Sequence, residues 1–341
     1  MKLLVIRFSA MGDVALTVPV IRGMLEANPD LKITFVTNSR FEPFFNAIEG
    51  LTVYGVDLSE YKGLKGLRKL YRELKALEQW DAIIDLHSVM RSWIIGAFFR
   101  LSGKKVYRID KGREEKAELV SGDKSKFHQL KHTTERYLDV FKLYGLEAEV
   151  KHGPVLIPNK EAEARLDNFF KSNGLVKKGK WLGLAPFSVH RQKTWPIEKV
   201  KQLIAELDQQ ADVVIFLLGG LGESETLKAL AAEYRSCRNM AGVFSLEEEI
   251  ALMYRLDAMI AMDSFNMHLA ALCDTKVVSI WGGTHYYAGF GPLNDNLKNI
   301  VEADPLELTC RPCSVFGGKP CHRGDWACLE QIEPAAVLDK L

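Results

Sequence analysis

The chain has 341 residues, 47% of them apolar, and carries 45 Lys and Arg against 44 Asp and Glu. That length exceeds the size at which one hydrophobic core usually stops growing, so two domains are expected. A near-balanced charge excludes the global positive field of a nucleic-acid binder and makes any electrostatic function local.

No run approaches the roughly 20 apolar residues needed to cross a bilayer; the best candidate, SWIIGAFFRLSG, stops short. No basic, apolar presequence precedes the opening strand, so a cytoplasmic chain is expected, soluble or held peripherally at a membrane.

In chain order, the opening MKLLVIRFSAMGDVALTVPVIRGML reads as an apolar strand interrupted at Arg7, a small polar turn, and an apolar-periodic helix. The turn residues Ser9, Ala10, Met11 and Gly12 let a ligand approach the backbone. Asp13 follows at the carboxyl end of the strand, where open α/β sheets bind their ligands. A helix beginning near Val14 would make Asp13 its N-cap, a position that favours Asp. The other reading is a general base: the helix dipole favours a carboxylate there, and an ionised Asp accepts the proton of a sugar hydroxyl as a new bond forms. The sequence leaves both open. With Gly12 the only glycine of the turn, the G-x-G-x-x-G of a nicotinamide dehydrogenase is missing.

The runs KITFVT, LTVYGV and DAIIDL continue the strand-and-helix rhythm of βαβ units. Between the last two, Leu64, Leu67, Leu70, Leu74 and Leu77 share one helical face among Lys62, Lys65, Arg68, Lys69, Arg72 and Lys75. Such a helix either packs its stripe on a sheet or lies on an anionic membrane surface. After DAIIDL, the turn brings His87, Ser88, Arg91 and Ser92 to the same edge as Asp13, with His87 a reserve candidate for the base. Residues 104–136 add Lys105, Arg108, Lys111, Arg113, Lys124, Lys126, Lys131 and His132, a basic stretch suited to an acidic lipid headgroup or to plain solvation.

Gly153, Pro154 and Pro158 mark a linker. The expected division is a first Rossmann-like domain over 1–155, a second over 156–309, and a Cys-rich tail with a terminal helix over 310–341. The later strands are KWLGLA, DVVIFLLG, DAMIAM and KVVSIW. Lys193 and Ser188 lie in the strand-to-helix turn APFSVHRQKTWP, at an edge where phosphates bind. Gly219 to Glu223 form a glycine-rich turn that admits a diphosphate, Glu223 being either a ribose ligand or a first-turn acid. Asp263, Ser264 and His268 follow DAMIAM, and Gly282, Gly283 and Thr284 follow KVVSIW. Four turns suited to one diphosphate point to a nucleotide-bound donor.

Four of the six cysteines fall in the tail as Cys310, Cys313, Cys321 and Cys328. In a reducing compartment four clustered thiols suggest a structural zinc, though their spacing is irregular for a zinc ribbon, and loosely packed free thiols are the other reading.

The RFSAMGD turn, the K-x-WP of residues 193–196, the Asp263-to-His268 turn followed by Ala-Ala, and the GGT before an aromatic glycine-rich stretch together resemble glycosyltransferase family nine, the ADP-heptose:lipopolysaccharide heptosyltransferases. The similarity runs along nearly the whole chain, and the Cys-rich tail is similar to that of some members. The resemblance implies a GT-B architecture, in which two Rossmann-like domains face across a cleft. It implies inverting, metal-independent transfer of a heptose from ADP-heptose to the lipid-linked inner core of lipopolysaccharide at the cytoplasmic face of the inner membrane, with no cofactor. It makes Asp13 the base and places Ser188, Lys193, Glu223, Asp263, Ser264, His268 and Thr284 at the donor. Ser9, Met11, Gly12, His87, Arg91 and Arg113 are the acceptor candidates. Members often have Thr-Gly after the aspartate and Gly-Pro-Thr in the later turn, where this chain has Ser264-Phe265 and Gly283-Thr284. The alternatives are a GT-B enzyme that transfers or epimerises another nucleotide sugar, and a non-catalytic scaffold that binds nucleotide or glycan.

Overall fold

Short apolar runs bounded by turns become strands because parallel sheets are covered by helices on both faces and tolerate no polar side. A computed structural model describes residues 1–305 and 307–341. It divides the chain into two units: Met1–Lys111 with His132–Leu156, and Gly112–Lys131 with Ile157–Leu341. The main division after Leu156 falls within the expected linker. Residues 112–131, expected in the first domain, cluster with the second unit, and the tail belongs to that unit too.

In the first unit, β1 (Lys2–Ile6), β2 (Lys32–Asn38), β3 (Leu51–Val56), β4 (Ala82–Asp85) and β5 (Lys105–Arg108) form a sheet of order β3-β2-β1-β4-β5. All its pairs are parallel, with Ile6 opposite both Val36 and Asp85. Leu3, Leu4, Val5 and Ile6 have no exposed surface. One core cluster joins Leu4, Ile6 and Ile83 of this sheet to Leu67, Leu70 and Leu74 of the Gly63–Leu77 helix and to Ile95 and Phe99 of the Met90–Leu101 helix. Of the five-leucine stripe, Leu64 and Leu77 at its ends stay exposed.

The second unit holds β6 (Trp181–Ala185), β7 (Val214–Leu217), β8 (Cys237–Asn239), β9 (Ala258–Met262), β10 (Val277–Trp281) and β11 (Ile300–Glu302). Their order is β11-β10-β9-β6-β7-β8, again parallel throughout. The final helix, Pro334–Leu338, packs on the Ile197–Asp208 helix of the same unit. Among the described residues, no helix is long and apolar enough to cross a membrane.

Candidate active site

In each sheet the winding reverses once. From β1 the chain moves outward to β2, and from neighbouring β4 it moves the other way to β5, so the loops after β1 and β4 splay apart at their carboxyl ends. Those loops carry Asp13 and His87. In the second sheet the reversal lies between β6 and β9, whose loops carry Lys193 and Asp263. The sequence-predicted residues therefore fall on the switch points of their own sheets.

The helix after β1 spans Met11–Ala15, so Asp13 is its third residue and Ala10 its N-cap, correcting the expected start near Val14. Asp13 Oδ2 accepts the Ala10 N–H at 3.4 Å, closing the helix start from inside it. The same oxygen lies 2.7 Å from Arg7 Nη2. Oδ1 takes no hydrogen bond among the described residues, and the side chain keeps 29% of its exposure. Arg7 is buried: its Nη1 donates to the Leu86 carbonyl at 2.6 Å, and its guanidinium sits 5.5 Å from the centre of the Tyr137 ring. Tyr137 in turn donates its hydroxyl to the Asp13 carbonyl at 3.1 Å. Capping and exposure of a carboxylate thus coexist, one oxygen serving each.

His87 is buried against the same turn. Its Nδ1 accepts the Phe8 N–H at 3.4 Å, which leaves the ring proton on Nε2, 3.4 Å from Ser9 Oγ. Burial above all, then the Arg7 and Lys111 charges, push its pKa down to about 3, so the ring is neutral at pH 7 and a poor proton acceptor. Asp85 builds the turn that carries His87. Fully buried, it accepts the N–H groups of His87 and Ser88 at 3.0 and 2.8 Å, the Ser92 hydroxyl at 2.9 Å and Arg108 Nε at 3.2 Å.

Met11 and Gly12 open the first helix and are partly exposed, as is Ser9. Arg91 is exposed on the first turn of the Met90–Leu101 helix. Arg113 is exposed too, but it begins the Arg113–Leu119 helix of the second unit, so it does not share a unit with the other acceptor candidates. Much of the basic stretch has structural employment. Arg108 pairs with Asp85, Lys124 donates to the carbonyls of Pro305 and Arg311, Lys126 faces Glu118, and His132 caps the Thr133–Tyr144 helix.

In the second unit, Lys193 Nζ lies 2.9 Å from Asp263 Oδ2, both largely buried. Thr284 Oγ1 donates to the same oxygen at 2.8 Å, and Ser188 Oγ approaches the Asp263 carbonyl at 3.5 Å. The structure brings these four donor candidates together. The Asp263 carboxylate thus binds a lysine and a hydroxyl through one oxygen. Ser264 is the N-cap of the Phe265–Leu272 helix, and its buried hydroxyl has no hydrogen-bond partner among the described residues. His268, buried, lies one turn further on. Trp195 anchors the Lys193 turn from below, its indole N–H donating to the Ile332 carbonyl at 3.2 Å. Glu223 behaves differently: its carboxylate folds back onto the Gly220 N–H at 2.7 Å, and it makes no hydrogen bond or ion pair with the Lys193 group among the described residues. It closes its own turn.

The tail explains itself through the same loops. A Cβ on Gly282 would sit 2.5 Å from the Gln192 carbonyl oxygen, so only glycine lets the turn after β10 lie against the Lys193 turn. Buried Arg311 then ties this turn down, donating to the carbonyls of Gly282, Trp281, Thr284 and Ala303 and pairing with Glu302 at 2.8 Å. Cys313 N donates to the Gly283 carbonyl at 3.0 Å, while Gln192 Nε2 donates to the Cys313 thiol at 3.3 Å. Cys310, Cys313, Cys321 and Cys328 are unpaired thiols, and among the described residues no three His, Cys, Asp or Glu side chains are grouped to hold a metal ion. Cys328 lies in the apolar core, where burial pushes its pKa up to about 11. The Cys313, Cys310 and Cys321 thiols lie near enough to Cys328 to add to that shift.

Residues 67–315 match glycosyltransferase family 9 (heptosyltransferase). The chain belongs to that family. This family 9 glycosyltransferase is 24% identical over 345 residues to the lipopolysaccharide core heptosyltransferase OpsX of Haemophilus influenzae, covering 98% of this chain and 94% of that one. Its fold matches that of the family 9 glycosyltransferase of Veillonella parvula with a TM-score of 0.77 at 19% identity, over 99% of this chain and 95% of the other. The E. coli ADP-heptose lps heptosyltransferase II gives 0.71 at 19% identity, over 100% and 97%. The two Rossmann-like units are those of the GT-B architecture.

Four residues that hold these loops of the glycosyltransferase escape a reading of its sequence: Arg7, Asp85, Tyr137 and Arg311. Two of them carry a visible signal, a charge at the end of an apolar run, in LLVIR and in AIID. Tyr137 and Arg311 sit in a helix and a tail whose partners are far away in sequence.

Proposed function

We propose that the chain is an inverting heptosyltransferase that moves a heptose from ADP-heptose to the lipopolysaccharide inner core, with Asp13 as general base. One observation carries the assignment of the base: Asp13 is a carboxylate at a sheet switch point, fixed through one oxygen by buried Arg7 and open at the other. A base must be held still and still reach its proton.

In the reaction, Asp13 Oδ1 takes the proton of an acceptor hydroxyl as that oxygen attacks the anomeric carbon. The bond from the anomeric carbon to the diphosphate oxygen breaks, and ADP departs with the electron pair. Lys193 neutralises charge on the leaving diphosphate, and N–H groups at the start of the Phe265–Leu272 helix donate to its oxygens. Asp263, itself bound by the Thr284 hydroxyl, holds Lys193 in register.

ADP-heptose as donor and lipopolysaccharide core as acceptor are supported by the names of the relatives, a lipopolysaccharide core heptosyltransferase and an ADP-heptose lps heptosyltransferase. A lipid-linked acceptor requires peripheral contact with the inner membrane from its cytoplasmic side. The decisive experiment is mass spectrometry of products formed from ADP-heptose and heptose-deficient lipopolysaccharide, which should show one added heptose with inverted anomeric configuration. Failure with every heptose donor would overturn the assignment. Melting-temperature shifts with ADP against UDP separate this donor from a uridine-linked one, because a ligand of the folded state stabilises it by mass action.

A further inference from the structure

The Met90–Leu101 helix is apolar on two opposite faces. Ser92, Ile95, Gly96 and Phe99 face the sheet, as a helix on a Rossmann-like layer requires. Positions 90, 93, 94, 97 and 101 repeat at helical spacing on the other side and are again apolar: Met90, Trp93 and Leu101 are 74%, 44% and 86% exposed, and Ala97 is exposed between them. Ile94 packs against the core cluster, but folding this unit does not account for exposed Met90, Trp93, Ala97 and Leu101.

Beside it lies the Gly63–Leu77 helix. The two pack together, Tyr71 meeting the rings of Phe98 and Phe99 at 5.3 and 4.9 Å, and a single core cluster holds both on the same sheet face. Their outward sides therefore belong to one surface. Residues 62–77 contribute six cations and one acid, Glu73, which is engaged by the Tyr61 hydroxyl at 2.7 Å. Residues 90–104 add Arg91, Arg100 and Lys104 with no acid. Leu64, 64% exposed, stands among the lysines. The nearest acids before this stretch, Asp57 and Glu60, precede the helix.

We propose that this two-helix surface docks on an anionic lipid bilayer, its cations on the headgroups and Met90, Trp93 and Leu101 in the headgroup–acyl boundary. The inference rests on the lipid-linked acceptor argued above and names the surface that would meet the lipid. The charge decides between occupants. A second copy seated on the same patch would set like charge against like, which an isologous dimer does not tolerate. An anionic membrane complements the cations and accepts the apolar stripe. Trp93, its indole N–H on Ser88 Oγ at 3.1 Å, suits a boundary that is apolar on one side and wet on the other. The docked helix begins directly after His87 and Ser88, at the sheet edge that also carries Asp13, so docking brings that edge to the lipid from which the acceptor rises.

The test is flotation of the full chain with vesicles of phosphatidylcholine alone and of phosphatidylcholine containing phosphatidylglycerol. Wild type should bind the anionic vesicles at least about tenfold better and lose most of that preference as salt rises from roughly 0.1 to 0.5 M. Two double variants, Met90→Gln with Leu101→Gln and Lys65→Glu with Arg68→Glu, should each weaken anionic-vesicle binding at least about tenfold while keeping the wild-type melting temperature. They should also transfer heptose to a lipid-free core oligosaccharide at the wild-type rate. Equal binding to both vesicle types, variants that bind like wild type, or a dimer in light scattering that the substitutions disperse would each overturn the proposal. A wild type that floats with anionic vesicles yet transfers no heptose would instead overturn the functional assignment and leave the docking surface standing.

Discussion

Arg7 Nη2 lies 2.7 Å from Asp13 Oδ2, and the arginine is itself pinned by the Leu86 carbonyl and the Tyr137 ring. The pair fixes a carboxylate on a helix of only five residues, too short to be rigid by itself. If Asp13 is the base, Asp13→Asn keeps the shape and the Ala10 contact but removes the proton acceptor. Transfer should fall by about 10³-fold while ADP affinity stays at the wild-type value by calorimetry. A scaffold protein would show no such separation. Arg7→Met leaves the carboxylate in place but unheld, and should lower both the rate and the melting temperature.

Lys193 and Asp263 form the corresponding pair of the second unit, 2.9 Å apart. If the lysine meets charge that grows as the diphosphate leaves, Lys193→Ala should lower kcat by about 10²- to 10³-fold and also weaken ADP binding. Asp263→Asn should reproduce part of the loss by releasing Lys193 and Thr284 from a common anchor. An Asp263→Asn enzyme with unaltered kinetics would remove Asp263 from the donor site.

Eight strands, the seven central ones and the six-residue edge strand β3, are readable because a sheet covered on both faces leaves only apolar, β-branched runs. The other three, β5, β8 and β11, are edge strands of three or four residues with polar side chains and no such pattern. Asp13 is readable as a carboxylate at a strand end, but its place in the helix is not, since Ala10 is an improbable N-cap until Asp13 reaches back to it. Glu223 and the tail cysteines are legible by residue type, but their contacts are not. A glycine-rich turn with an acid, and four thiols in nineteen positions from Cys310 to Cys328, suggest ligands. In the fold the acid closes its own loop, and the tail meets the turns after β6 and β10 through Arg311, backbone groups and the Cys313 thiol.

Arg311 therefore offers a direct test of what the tail is for. Removing its guanidinium leaves four buried carbonyls and the Glu302 carboxylate without their donor, and a loss of that kind costs about 3–5 kcal/mol. Arg311→Ala should lower the melting transition of the second unit and raise the donor KM by loosening the turn after β10. Changing Cys310 and Cys321 to Ser should do neither.

Chelation should leave transfer at its untreated rate. In the proposed mechanism Lys193 and the helix start supply the positive potential that the leaving diphosphate needs, and the tail holds its loop through hydrogen bonds. Assays before and after EDTA, followed by readdition of magnesium or zinc, measure this. Loss on chelation with recovery on readdition would assign the charge neutralisation to an ion.

His87 gives the protein a pH signature of its own. Its pKa is pushed down to about 3 from an ordinary 6.5, chiefly by burial and by the Arg7 charge. Above pH 6.5 the ring is neutral in both folded and unfolded chains and costs nothing. Below it the unfolded chain takes up a proton that the folded chain refuses, so stability falls as pH drops from 6.5 toward 3. Between pH 7 and pH 5 this one group should remove about 2 kcal/mol. Urea denaturation at both pH values measures the change for wild type and for His87→Gln, which has no titrating ring. The variant should be less sensitive to acid by about that amount, and equal slopes would show that His87 is not shielded in the way its contacts with Phe8, Ser9 and Arg7 imply.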